Sequence, residues 1–319
     1  MTLLQTYKAL ADVSRLRLLR TLLSGRFSVN ELVEIVAMGQ SRVSRHLKLL
    51  CDAGLARVDR EGTWAYYQAA AEDDADTAAL LALVQRRSEE LPQAAEDQRR
   101  RQRCLEARRT RARRFHDQVA PRWSQLRREL LGNGVMSERI LARLERSAVV
   151  ADLGCGAGEM LLPLARQARQ VIGIDSSPAM LDQAQQALDG AGRGAQRPAR
   201  RVELRLGTLE HLPLADGEAS AALLNLVLHH IADPPHALRE ARRALAPGGT
   251  LVLCDLARHG EEWMRDRYGD LWLGFSPAEL ERLLAQAGFR SIEIERYDES
   301  PRAGILLAVA HAPRKGAHP

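Results

Sequence analysis

The chain has 319 residues, of which 45% are hydrophobic, enough for two packed cores and too long for a small DNA-binding module alone. Its 46 Lys and Arg outnumber 41 Asp and Glu, and the excess is uneven: residues 1–70 and 71–146 each carry +4, whereas 147–319 carry −3. No run reaches the roughly 20 apolar residues of a membrane span, no signal-peptide pattern opens the chain and the four cysteines are scattered, so membrane and disulfide-rich secreted classes are excluded and a cytoplasmic location is expected.

Taken in chain order, Thr6 to Leu23 places Leu10, Leu16, Leu19 and Leu23 at helical spacing, which predicts one amphipathic helix. Ser28-Val29-Asn30-Glu31 has the spacing of a capping box and starts a helix running to Val36. After a turn at Ala37 to Gln40, a helix over Ser41 to Ala53 puts Val43, Leu47 and Leu50 on one face, with Gly54 ending it. Gln40, Ser41, Arg42, Ser44, Arg45, His46 and Lys48 then supply the donors and cations that a recognition helix needs for base edges and phosphates. His46 either hydrogen-bonds DNA or packs beside the helix. Leu55 to Asp59 and Thr63 to Gln68 alternate as two strands around Arg60-Glu61-Gly62, a hairpin wing on which Trp64 and Tyr66 are structural.

The run S-R-V-S-R-H-L-K-L-L-C-D-A-G-L-A (residues 41–56) and L-A-D-V-S-R-L-R-L-L-R (10–20) closely resemble the recognition and opening helices of ArsR/SmtB-type winged-helix repressors. The resemblance covers residues 1–90 and implies double-stranded operator DNA as partner and a homodimer in which a helix after the wing joins the first helix. It also implies metal sensing, from which this chain departs. Val33 and Ile35 stand where metal-responsive members carry cysteines, and Cys51, Cys104, Cys155 and Cys254 form no ligand cluster, so no metal ligand is assigned. Asp73, Asp74 and Asp76 are read as a solvated linker.

Residues 91–145 form an arginine-rich helical connector. Ala78 to Glu90 is helical before Pro92, and Arg99 to Arg114 is a helix that either touches DNA or is solvent-exposed with its interspersed acids. Phe115 and Trp123 follow, aromatic residues just before the sheet.

The last part, 146–312, alternates apolar strands with helical stretches, the pattern of an α/β doubly wound sheet. V-V-A-D-L-G-C-G-A-G (149–158) runs a strand into a G-x-G-x-G turn, and V-I-G-I delivers Asp175 at the next strand end, where a carboxylate can take both ribose hydroxyls. The spacing differs from the G-x-G-x-x-G of dinucleotide binders, which argues against NAD. With Leu206-Gly207-Thr208-Leu209, the strand ending Asn225 to His230, and Pro247-Gly248-Gly249, these motifs resemble class I S-adenosylmethionine-dependent methyltransferases over about 115–312.

That resemblance implies S-adenosyl-L-methionine, or S-adenosyl-L-homocysteine as an effector. Asp152, Gly154, Cys155, Gly156 and Gly158 would cradle the methionine part, Asp175 the ribose, Met180 the adenine face, and Thr208 and Leu209 its edge. Asn225 would lie below the methionine amino group. The N-terminal segment of such methyltransferases commonly lids the cofactor, which implies a lid role for Phe115 and Trp123. Cys155 is a packing residue of the turn. Methyl transfer needs alignment and, where the acceptor must lose a proton, a base. His229 and His230 are the best placed candidates; alternatively one caps the next helix and the other packs. Asp255 and His259 are second candidates, and Trp272 to Ser276 is expected to cover an acceptor pocket. The absence of a cysteine cluster counts against arsenite as acceptor. Two readings stay open: a repressor whose cofactor domain senses S-adenosylmethionine or S-adenosylhomocysteine, and a small-molecule methyltransferase with an accessory DNA-binding domain.

Overall fold

A computed structural model describes residues 3–61, 64–70, 75–126, 135–144, 148–191, 198–298 and 303–314. The chain divides into two compact units, Met1–Arg108 and Arg109–Pro319. The division falls inside one long helix, so the connector expected at 91–145 is shared between the two.

In the first unit the single opening helix expected from periodicity is two helices, α1 (Leu3–Leu10) and α2 (Val13–Leu23). The break has a local cause. Asp12 is extended (φ −152°, ψ 126°) and its side chain accepts the Arg15 amide at 3.0 Å, so it caps α2 instead of continuing α1. Strand β1 (Phe27–Ser28) leads into α3 (Val29–Val36), where the capping box forms in both directions: Ser28 Oγ accepts the Glu31 amide and Glu31 accepts the Ser28 amide. The turn beyond it passes through Ala37 in the left-handed region (φ 50°) and Gly39 precedes α4 (Gln40–Asp52).

Strands β2 (Ala56–Glu61) and β3 (Trp64–Ala69) pair antiparallel as the wing, and β1 joins the far side of β3. The wing turn at Gly62 and Thr63, and the acidic residues Asp73 and Asp74, lie outside the described residues. Helix α5 (Ala75–Arg87) and the first part of α6 (Ala94–Val119) complete the unit around Leu18, Leu22, Phe27, Ile35, Leu47 and Leu50, all buried.

The arginine-rich helix α6 is neither a free solvated rod nor wholly available to DNA, because several of its charges tie it down. Asp97 takes a two-pronged ion pair from the buried Arg17 (2.7 and 2.6 Å), Arg100 donates to the Ile35 carbonyl, and Arg108 grips both oxygens of Glu31 at 2.7 Å. Forked guanidinium pairs of this kind align two hydrogen bonds at once.

The second unit is built on a seven-stranded sheet of β4 (Val149–Leu153), β5 (Gln170–Asp175), β6 (Val202–Leu206), β7 (Ala219–Asn225), β8 (Leu245–Leu256), β9 (Arg290–Tyr297) and β10 (Ile305–His311). Its order is β6-β5-β4-β7-β8-β10-β9, with β4 to β8 parallel and β10 antiparallel to both neighbours. The strand order reverses at β4, and ligands of such sheets bind outside the carboxyl ends at that switch point. β8 begins at Leu245, earlier than the Thr250 expected, and takes in the Pro247-Gly248-Gly249 turn.

Burial by itself would raise the Glu31 carboxyl; Arg108, with the Ser28 amide and hydroxyl, outweighs that and holds it below its ordinary value. A lowered carboxylate stabilises the fold above its unfolded pKa of about 4.3 and loses that contribution as pH falls through the folded value. Amide hydrogen exchange in α3 is therefore expected to accelerate below about pH 4, and Glu31→Gln should flatten that acid limb while destabilising the unit at neutral pH.

Candidate functional site

The glycine turn after β4 has the backbone that its sequence demands. Gly154 and Gly156 lie at φ 79° and 51°. A Cβ on Gly154 would stand 2.6 Å from Val227 Cγ1, so the turn and the segment after β7 are packed too closely for any side chain. Asp175, at the end of β5, ties this turn to the next one: Oδ2 accepts the Gly156 amide and Oδ1 the Ser177 amide, both at 2.9 Å. Desolvation pushes this carboxyl above its ordinary value, and the backbone donors offset part of the rise. A carboxylate has about four acceptor sites, so these backbone donors leave capacity for the hydroxyls of a vicinal diol.

The remaining predicted cofactor residues sit around this edge. Asp152 is buried at the end of β4, Cys155 and Gly158 are buried in the turn, and Met180 is buried at the start of the helix Pro178–Ala191. Thr208 is half-buried, Leu209 is buried, and Asn225 ends β7 with 6% exposure. Burial pushes the Cys155 thiol well up, which fits a packing residue and not a nucleophile. Trp123 lies over the turn, its Nε1 within 3.4 Å of where a Gly156 Cβ would stand, and Phe115 packs on Gly269. Asp117, between them, accepts a 2.6 Å bond from Ser177 Oγ. The segment 115–123 thus covers the carboxyl edge of the sheet as a lid would.

Beyond β7 the chain turns sharply. Leu226 is left-handed at φ 60°, unusual for a branched apolar residue and sustained by its amide bonding to the Cys254 carbonyl at 2.7 Å. This turn throws His229 and His230 back over the end of β8. His229 Nδ1 meets Asp255 Oδ1 at 2.6 Å, and Asp255 also accepts the amides of Leu228 and Leu256. The short contact assigns the Nδ1 proton to this bond and turns Nε2 toward Asp270.

Asp270 has no counterpart in the sequence reasoning. It is buried, neither carboxylate oxygen has a hydrogen-bond partner among the described residues, and Oδ1 lies 3.6 Å from His229 Nε2 and 3.8 Å from His230 Nδ1. Burial, partly opposed by His229, raises its pKa to about 6. His230 stacks edge-on with His116 at 4.7 Å, and His116 with Trp123 at 5.4 Å. Burial lowers His116 to about 4 and His230 well below its usual value, so both rings are neutral at physiological pH. Trp272 and Leu271 hold the other side, their amides both donating to the His229 carbonyl at 3.1 Å. His259 stands in a different arrangement, its Nδ1 accepting the Glu261 amide at 3.2 Å.

Sequence reasoning also passed over His116 and Asp117; the aromatic residues flanking them were the available signal. Asp270 carried none.

On α4, Gln40, Ser41, Arg42, Ser44, Arg45 and Lys48 are exposed along one face. His46 is buried, which favours packing over DNA contact; burial lowers its pKa, and its Nδ1 has no partner among the described residues.

This geometry defines a nucleoside-cofactor fold of the methyltransferase kind in one unit and a winged helix-turn-helix in the other. Residues 12–58 match the model of bacterial regulatory proteins of the arsR family, and residues 151–253 match a methyltransferase domain model. The chain combines an ArsR-family helix-turn-helix with an S-adenosylmethionine-dependent methyltransferase domain, and S-adenosylmethionine is its cofactor.

Among similar proteins, an uncharacterized 37.1 kDa protein in transposon Tn4556 of Streptomyces fradiae is 46% identical over 122 residues, covering 37% of this chain and 32% of its own. An arsenite methyltransferase of Halobacterium salinarum is 29% identical over 53% of this chain and 44% of its own. A ubiquinone biosynthesis O-methyltransferase of Azorhizobium caulinodans is 32% identical over 49% and 64%. The chain thus spans between about a third and two thirds of these relatives. The crystal structure of the 4+2 cyclase SpnF shares the fold, with a TM-score of 0.54 at 19% identity over 63% of this chain and 95% of that one. Fold alone does not specify the reaction. No helix among the described residues is long and apolar enough to cross a membrane.

Gly154→Ala is expected to displace Val227 and strain the turn. Calorimetric titration with S-adenosylhomocysteine should show at least a tenfold loss of affinity, and undiminished binding would contradict the packing argument.

Proposed function

We propose that this protein is a homodimeric transcriptional regulator, acting as a repressor, whose methyltransferase domain also methylates a small acceptor. DNA binding is assigned to the exposed face of α4, with Gln40, Ser41 and Ser44 near the helix N-terminus toward base edges and Arg42, Arg45 and Lys48 toward phosphates. His46 is left out of this set by its burial.

The cofactor, when bound, supplies an electrophilic methyl group on a sulfonium. Asp175 is proposed to hold the ribose, the Asp152 to Gly158 turn the methionine portion, Met180, Thr208 and Leu209 the adenine, and Asn225 the amino group. Trp123 and Phe115 keep water from that edge.

The observation that favours catalysis over sensing alone is the cluster of His229, His230, Asp255 and Asp270 beyond the cradle. Burying ionisable groups costs free energy, several kcal/mol for an uncompensated charge, and groups so placed concentrate at functional sites. A domain that only registered cofactor occupancy would need the cradle and nothing at this position. The histidines are accordingly assigned to the acceptor side, with Asp255 a positioning residue that orients His229.

Regulation and catalysis are compatible. Helix α6 contributes to both units, and cofactor occupancy can alter operator affinity if the ligand prefers one state of the protein. The arsenite named for one relative is not carried over, because the four cysteines include two buried in the second unit and two half-buried in the first.

Incubation with methyl-labelled S-adenosylmethionine and cell extract is expected to yield a labelled small molecule, and Asp175→Ala should abolish both labelling and cofactor binding. No label transfer from any extract, with cofactor binding intact, would leave sensing as the function. Replacing Arg42 and Arg45 together by Ala should weaken operator binding and reduce its salt slope by about two; unchanged binding would remove α4 as the recognition helix. Operator affinity measured with and without S-adenosylmethionine and S-adenosylhomocysteine checks the regulatory part, a shift with either being expected.

A further inference from the structure

His229, His230 and Asp270 bring three lone-pair donors to one buried point, their ligand atoms all within 4.8 Å of one another. The separations are informative. At 3.6 and 3.8 Å, the gaps from Asp270 Oδ1 to His229 Nε2 and His230 Nδ1 are too long for hydrogen bonds. They are close to the spacing of about 3.4 Å between ligands that each lie about 2.1 Å from a tetrahedral cation. His230 Nδ1 donates to the Gly269 carbonyl at 3.3 Å, a bond that a cation bound at Nδ1 would replace.

Among the described residues neither oxygen of Asp270 has a hydrogen-bond partner, although its side chain is only 1% exposed. The charge of Arg265 partly offsets the burial of Asp270, while its Nη1 donates to the carbonyls of Leu271 and Asp270. His116 packs edge-on against His230 at 4.7 Å. Behind His229, Asp255 accepts from Nδ1 and is itself held by two backbone amides. A carboxylate behind an imidazole, fixing its tautomer and raising its basicity, is the usual outer partner of a metal-bound histidine.

We propose that His229 Nε2, His230 Nδ1 and Asp270 Oδ1 form a divalent transition-metal site. Two imidazoles and one carboxylate suit zinc, cobalt, iron or manganese better than calcium or magnesium, which prefer all-oxygen sets. Three protein ligands leave a position open, as in catalytic and not structural sites. On the reading of the domain as a methyltransferase, that position takes the acceptor through an oxygen: the cation lowers the pKa of the bound hydroxyl, so the nucleophile is an alkoxide or phenolate. The C–O bond forms as the sulfonium S–C bond breaks, and the hydroxyl proton leaves to water. The acceptor class is then a hydroxylated small molecule. Binding of the cation itself does not depend on that reading.

The test uses the full chain, stripped with chelator and titrated with Co(II) in the absence of acceptor. One equivalent per chain is expected, with the visible absorption of a low-symmetry nitrogen and oxygen site. Asp270→Asn, nearly isosteric, and His230→Ala should each weaken binding by at least tenfold, and Asp255→Asn by about 10- to 100-fold through its effect on His229. S-adenosylhomocysteine affinity of the stripped variants serves as the control for folding and should be unchanged. Failure of the wild-type protein to bind Co(II) or Zn(II) stoichiometrically, or equal affinity in all variants, overturns the site. Metal binding without methyl turnover of any acceptor would uphold the site and remove the catalytic reading instead.

Discussion

Parallel pairing of β7 between β4 and β8 is the constraint from which the chemistry of the second unit follows. The register sets Asp152 beside Leu223 and Asn225 beside Cys254, so three strands end at one edge. The turn after β4, the histidines after β7 and Asp255 near the end of β8 are neighbours for that reason alone. Hydrogen bonding between parallel strands leaves no freedom to slide one end away without turning every side chain to the opposite face. The close approach of Gly154 to Val227 comes from the same source, since the two turns leave adjacent strands.

At that edge the protein accepts local penalties that packing elsewhere must offset. Leu226 is held left-handed, Asp175 is desolvated, and Asp270 is buried with no hydrogen bond among the described residues. Each is individually worth about 1 to 3 kcal/mol or more. The surrounding sheet is almost continuously apolar: Leu223, Leu224, Leu251, Val252 and Leu253 are wholly or nearly wholly buried. Such a core can sustain strain in the loops it carries.

The first unit solves a different problem. A winged helix of this size has a small core, and charge pairing by α6 supplements it. The Arg17 and Arg108 forks join residues far apart in sequence, and Glu31 serves both as the reciprocal cap of α3 and as the partner of Arg108. The basic character of this half therefore has two uses. Arginines on α6 hold the unit together, while those on α4 stay exposed.

Features governed by short-range rules were legible in the sequence. The capping box at Ser28, the glycine turn, the alternating wing and the parallel strands depend on residues within one turn or strand of each other, and they occur where the spacing placed them. The break at Asp12 was missed since apolar periodicity runs through it, and the cap interaction outweighs periodicity there. His46 looked equally suited to two surroundings, and only the fold buried it.

What the tertiary structure alone decided is the company that His229 and His230 keep. A doublet of histidines after a strand has no fixed chemistry. Asp255 lies 26 residues from His229 and Asp270 some 40 from His230, distances over which no periodicity or spacing rule operates. The sequence determined a helix-turn-helix and a glycine turn after a strand, each written in one contiguous stretch. The polar cluster beside the cradle exists because strand register and two loops bring separate stretches to one buried point.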